Sequence, residues 1–239
     1  MASTTKAIVI NTVKYGESSL IVKCYTQERG MSSYMLKGVR ASKRKKNNIA
    51  YYQPLNQLII EDNYKPSNTL NHIKETQFSY QYQNLYFNVY KQSISFFLAE
   101  VLANCLKEEE ANKLLFEFLT TAFQWLDTHD DISNFHLLFL IQLTKYLGFY
   151  PIQNKFNYEY FNLLEATYTP KKSLKYGIEG EQLSYFNRLL GTNFDTISSI
   201  KMSQKMRQEI LSILIQYYEL HLTGFRKPKS LEVLKSIFN

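Results

Sequence analysis

The hydrophobic period of this chain changes once, near residue 80, and that single change dictates two kinds of structure in a fixed order. Before it, apolar residues alternate. Leu20, Val22 and Cys24 interleave with Ile21, Lys23 and Tyr25, and Ala7 to Val13 is a largely β-branched run. Glycine turns at Lys14–Ser18 and Glu28–Gly30 separate these runs from a third, Ser32 to Val39, and Leu55–Glu61 and Leu70–Ser79 follow. Five short strands in about 80 residues predict a small barrel, of OB or SH3-like type. After residue 80 the steps become three and four. Leu85, Val89, Ile94, Phe97, Leu98, Val101 and Leu102 form one stripe, and Leu115, Phe118, Leu119, Ala122, Trp125 and Leu126 belong to a second. A third helix is expected over Phe135–Leu147, with Ser133 as its N-cap, and others over Glu181–Leu190, Ser203–Leu222 and Leu231–Phe238. The segment Ile152–Glu179 shows neither period. The expected class is α+β, with a barrel over 1–80 and an all-helical domain over 81–239.

Charge follows the same division. Residues 1–50 hold ten Lys and Arg against Glu17 and Glu28, a net +8, while the other 189 residues hold 18 basic and 19 acidic side chains. The whole excess therefore belongs to the barrel half, which points to a polyanion partner, nucleic acid first among them. The densest run is Lys37, Arg40, Lys43, Arg44, Lys45 and Lys46, six cations in ten residues. Such a run is self-repelling until a phosphate backbone neutralises it and releases counterions. Tyr15, Tyr25, Tyr34, Tyr51 and Tyr52 accompany it, and rings beside a cationic groove hold single strands without reading sequence.

Catalysis finds no support. The chain has no phosphate-binding glycine loop, no HExxH and no nucleophile elbow. His129 and His136, with Asp127, Asp130 and Asp131, read as a polar connector rather than a metal site. Two cysteines, Cys24 and Cys105, far apart and outside any CxxC pair, exclude a disulfide framework and a four-thiolate zinc site. The greasiest stretch is too short to span a bilayer, and no secretory signal is evident, so a soluble, cytoplasmic protein is expected.

Several stretches resemble the RecO family of bacterial recombination-repair mediators. They are Ala7–Ser19, Tyr25–Gly30, Tyr34–Lys43 and Gln53–Leu55 in the barrel half, then Phe97–Leu102, Asn134–Leu138, Tyr146–Phe149 and Lys229–Leu231. The resemblance implies an OB-fold packed on a helical domain and no enzymatic activity or cofactor. It implies a role in DNA repair and recombination after DNA damage, with binding of single- and double-stranded DNA and annealing of complementary strands. It further implies that the protein acts with RecR, and with the tail of single-stranded-DNA-binding protein, to help load recombinase, on the nucleoid. Its DNA contacts would fall on the cationic run named above. An acidic, apolar-ended tail needs an apolar pocket beside a cation, which points to Phe135, Leu138, Phe139 and Leu143 with Lys145 and Lys155. Many relatives carry a four-cysteine zinc site after the position of Pro151. Residues 154–175 here contain no cysteine, so no zinc is expected, and Phe156, Tyr158, Tyr160, Phe161 and Leu163 are expected to fill that place by packing. The competing expectation is an OB-fold RNA-binding protein of translation or RNA processing, because a basic barrel would suit RNA equally well.

Overall fold

The computed structural model describes residues 3–37, 49–65, 70–106, 110–152, 154, 157–172 and 175–238. Its contacts group into two compact units, Met1–Thr128 and His129–Asn239.

In the first unit, β1 (Ser3–Tyr15), β2 (Ser19–Thr26), β3 (Gly30–Leu36), β4 (Gln57–Asp62) and β5 (Asn71–Tyr80) close into a barrel of order β1-β2-β3-β5-β4. All neighbours are antiparallel except β3 and β5, and β4 closes the ring against β1. This is the OB-fold expected from the sequence, followed by a helical region. One long strand serves both edges of the closure: Ser3–Ile8 pairs with β4, and Ala7–Tyr15 pairs with β2 across a bulge between Val9 and Asn11. A bulge bends and twists a strand, which lets β1 pass from one half of the barrel to the other. Ala7, Val9, Leu20, Val22, Cys24, Tyr34, Leu36, Tyr52, Leu58 and Ile60 fill the interior. Burial there pushes the Cys24 thiol well above the ordinary cysteine range. Arg29, in the β2–β3 turn, donates at 2.6 Å to the fully buried Asp62 and at 2.8 Å to Ser3, and its guanidinium lies over Tyr64.

Two helices complete this unit, α1 (Val89–Cys105) and α2 (Lys113–Thr128). The Asn88 side chain caps α1 by accepting from the amides of Tyr90 and Lys91, so the helix starts later than the apolar stripe beginning at Leu85. Because α1 packs against β1, Ile8 and Ile10 are buried on the face opposite Ala7 and Val9. The β4 residue Gln57 donates to the Thr120 carbonyl of α2 and accepts from Gln124.

Asp127, expected in a polar connector, is instead fully buried at the end of α2. Its carboxylate accepts from three successive backbone amides, Gln83 at 3.0 Å and Asn84 and Leu85 at 2.7 Å, and from the Tyr80 hydroxyl. Its carbonyl accepts from the buried Lys91 ammonium at 2.7 Å and from the Asn84 amide group. The exit of β5, the start of α1 and the end of α2 therefore meet at one residue. This is why the packing boundary falls after Thr128 and not near residue 80, where the strand-to-helix change was expected to divide the chain.

The second unit is built on α3 (Phe135–Leu147), buried continuously from Phe135 to Ile141 and stopped by Gly148 in the left-handed conformation (φ 84°). Asn134, not Ser133, stands at its N-cap and makes no side-chain cap there. Its side chain instead donates to the Ile200 carbonyl and accepts from Arg207. α4 (Gly180–Leu190), α5 (Gln204–His221) and α6 (Leu231–Ile237) follow the expected helices closely. The region is not all-helical, however. The segment without a clear period folds into a three-stranded sheet, β6 (Tyr160–Asn162), β7 (Thr167–Thr169) and β8 (Gly177–Glu179), with β6 central. Phe161 packs from this sheet onto Tyr168, Phe186 and Tyr217. The Tyr217 hydroxyl donates to the Phe149 carbonyl at 2.6 Å. Among the described residues no helix is long and apolar enough to cross a membrane.

Two predictions follow from buried polar groups. Asp127→Ala leaves the buried Leu85 amide and the part-buried amides of Gln83 and Asn84 without an acceptor, the cost being about 1–3 kcal/mol for a buried amide and less for the others; the expected loss is about 2–4 kcal/mol, read as a lower urea midpoint of Trp125 fluorescence. The second concerns His136, where burial, with the Arg207 guanidinium nearby, lowers the imidazole to about 3. The folded chain thus keeps this ring neutral while the unfolded chain protonates as pH falls through about 6.5. Stability held above pH 6.5 is then lost progressively toward pH 3, by about 2 kcal/mol at pH 5. Urea unfolding followed by circular dichroism at pH 7 and 5 checks this, and His136→Gln removes that part of the slope.

Candidate nucleic-acid interface

Strand alternation sorts the barrel's residues into two populations. Leu20, Val22, Cys24, Tyr34 and Leu36 point inward, so their neighbours on β2 and β3 point out. The ladder sets these outward residues in rows. Asn11, Lys23 and Ser33 stand side by side, and next to them Val13, Ile21, Met35 and His72. Tyr15 follows at the hairpin end, 56% exposed, with Val13 at 47%. Lys23, Lys37 and His72 are all exposed. No carboxylate stands in either row, and Lys74 and Glu61, on β5 and β4, pair with each other at 3.7 Å. The β2–β3 face of an OB barrel and its adjoining loops are where this fold takes oligonucleotides. A face with cations, an exposed phenol ring and no acid in its rows, the nearby Glu17 of the β1–β2 turn lying beyond them, can hold a phosphate backbone while a base stacks on the ring.

The tyrosines named from the sequence divide accordingly. Tyr25, Tyr34 and Tyr52 are buried and belong to the core. Tyr51 is half-buried against Phe78, ring centroids 4.5 Å apart. Only Tyr15 of the five is exposed. Of the six cations, Lys37 directly follows the last residue of β3 and is exposed. Arg40, Lys43, Arg44, Lys45 and Lys46 lie outside the described residues. Lys23 was missed as a site residue, although its alternation with Val22 and Cys24 marks it as outward-facing.

Comparison with known proteins agrees with this geometry. Residues 1–82 match the family model described as Recombination protein O N terminal, and residues 87–232 match Recombination protein O C terminal. The chain belongs to the RecO family. It is 46% identical over 234 residues to the DNA repair protein RecO of Christiangramia forsetii, with 98% of each chain covered. Identity is 42% over 235 residues to that of Flavobacterium psychrophilum, again with 98% of each covered, and 34% over 244 residues to that of Bacteroides fragilis strain YCH46, with both covered in full.

One expectation drawn from the RecO resemblance needs correction. Phe135, Leu138, Phe139 and Leu143 are fully buried, with Phe135 stacked on Phe194. They are the core of the second unit and offer no surface to a peptide tail. Lys145 is exposed over the Tyr150 ring at 4.7 Å, and Lys155 lies outside the described residues. Of the residues expected to fill the zinc module's place by packing, Phe161 and Leu163 are buried, Tyr158 and Tyr160 are half-buried, and Phe156 lies outside the described residues. Among the described residues no group of three or more His, Cys, Asp or Glu side chains could hold a metal ion.

The barrel face predicts separable effects. Lys23→Ala should flatten the dependence of log K on log salt for single-stranded DNA by about 0.7, one phosphate contact. Tyr15→Ala should leave that slope unchanged and weaken binding by about 1–3 kcal/mol, one lost stack. Fluorescence anisotropy across a salt series measures both.

Proposed function

We propose that this chain is a non-enzymatic mediator of DNA repair and recombination that binds single- and double-stranded DNA mainly through the phosphate backbone. The observation that supports this most is the acid-free outer face of β1–β3, with Tyr15 and Lys23, which leads at the end of β3 through Lys37 into the cationic run of the sequence. Membership of the RecO family supports the repair role, since its curated relatives are named DNA repair proteins. A grip on the backbone leaves base edges open for pairing, the condition that annealing of complementary strands requires. In this reading the barrel unit carries the DNA. The second unit offers protein-docking surface to RecR and to the tail of single-stranded-DNA-binding protein, on faces other than the buried side of α3.

Replacing Lys43, Arg44, Lys45 and Lys46 by glutamine tests the reading. Four lost contacts at about 0.7 each should lower the salt slope for single-stranded DNA by roughly 2–3 and reduce affinity strongly at physiological salt. An unchanged slope in the folded variant would mark the run as a solubility feature. RNA competitors of the same length should displace DNA poorly, and equal displacement would favour an RNA-binding role.

A further inference from the structure

A second concave surface lies on the barrel unit, away from the β2–β3 ladder. It is a groove of about 450 Å3 at the meeting of the 3-10 turn Ile49–Tyr52, the end of β5 and the start of α1. That volume is within the range of small-ligand sites. Among the described residues its lining includes Gln53, Phe78, Gln81, Tyr86, Phe87 and Gln92, and none of these residues is charged.

The frame of this groove is rigid. The Tyr86 hydroxyl donates to the Pro54 carbonyl at 2.7 Å and meets the Asn56 Oδ1 at 2.9 Å. Asn56 in turn donates to the carbonyls of Ala50 and Tyr51. Phe87 is the opposite case: its ring is 87% exposed, yet its backbone is held, since its amide donates to the carbonyl of Asn84, itself anchored on Asp127. An apolar ring left open to water is stabilised when a flat apolar surface covers it.

We propose that this groove docks one unstacked nucleobase of a bound single strand, with Phe87 as the stacking surface and Gln53, Gln81 and Gln92 as amide partners for the base edge. This rests on the nucleic-acid reading above and extends it from backbone to base. A base combines a π-face with donors and acceptors along one edge, and aromatic rings beside amides match both. Among the described lining residues none is a cation that would single out a phosphate or an acidic tail. An apolar helix would set its side chains against three glutamines. Chain continuity favours the same occupant. Ala50 lines the groove four residues after Lys46, and at no more than about 3.6 Å per residue the two backbones are within about 14 Å. A strand held by the cationic run is thus within reach of the groove.

The experiment uses the full chain and two fluorescent oligomers of equal length, oligo-dT and its abasic counterpart, titrated against the unaltered protein, Phe87→Ala and Phe87→Tyr. Phe87→Ala should weaken oligo-dT binding about five- to one-hundred-fold, the loss of one stack, with the same salt slope. It should leave abasic binding unchanged, and Phe87→Tyr should restore oligo-dT affinity. Unchanged oligo-dT affinity in Phe87→Ala would overturn the proposal and leave the groove to a protein partner. Equal losses on both oligomers would also overturn it, by showing a contact that does not depend on the base. If the unaltered chain bound neither oligomer, the nucleic-acid reading itself would fail and the groove assignment with it, a result distinct from failure of the groove alone.

Discussion

The carboxylate of Asp127 is the contact on which the first unit turns. A fully buried charge is tolerated only when it is thoroughly hydrogen-bonded, and this one accepts from three consecutive amides and a phenol. Those amides belong to the short connection between β5 and α1, so the carboxylate fixes the route by which the chain leaves the barrel. The Lys91 ammonium on the carbonyl of the same residue adds the first turn of α1 to the arrangement. The barrel and its two helices are consequently one packed body, although the two family matches break between residues 82 and 87.

In that body β1 divides buried core from exposed surface along its length. β1 is covered on both sides where α1 lies against it, which is why Ile8 and Ile10 are as deeply buried as Ala7 and Val9. Beyond the bulge the same strand returns to alternation, and Asn11, Val13 and Tyr15 join the outward residues of β2 and β3. One strand therefore carries core at its first half and exposed surface at its second.

Much of this is legible in the sequence. A period-two run marks β2, a β-branched run marks β1, and runs bounded by turns mark the other three barrel strands, while glycine turns mark both hairpins, because in a half-buried strand burial writes itself into the sequence at every second residue. Helices with a clear apolar stripe were equally readable. The failures share physical reasons. Strands of three residues, as in β6, β7 and β8, are too short to display a period. Asp127 looked like a solvated connector because a buried carboxylate and an exposed one are the same letter, and its partners are backbone amides over 40 positions away. α3 is apolar on nearly every side, so its sequence could not tell a receptor surface from a core, and the structure decides for the core. Asn134 displaced Ser133 as the N-cap residue while its side chain was recruited by Ile200 and Arg207. The cationic run was plain from composition, and of it the described residues include Lys37 alone.

The position of Cys24 has a practical consequence. Its thiol is sealed inside the barrel and held protonated by burial, so it cannot react while the five strands are closed. Alkylation at this position therefore requires the strands to part. The rate at which a small thiol reagent marks Cys24 is a clock for barrel opening, built into the chain without any label. The same clock would register how far a bound oligonucleotide slows that opening.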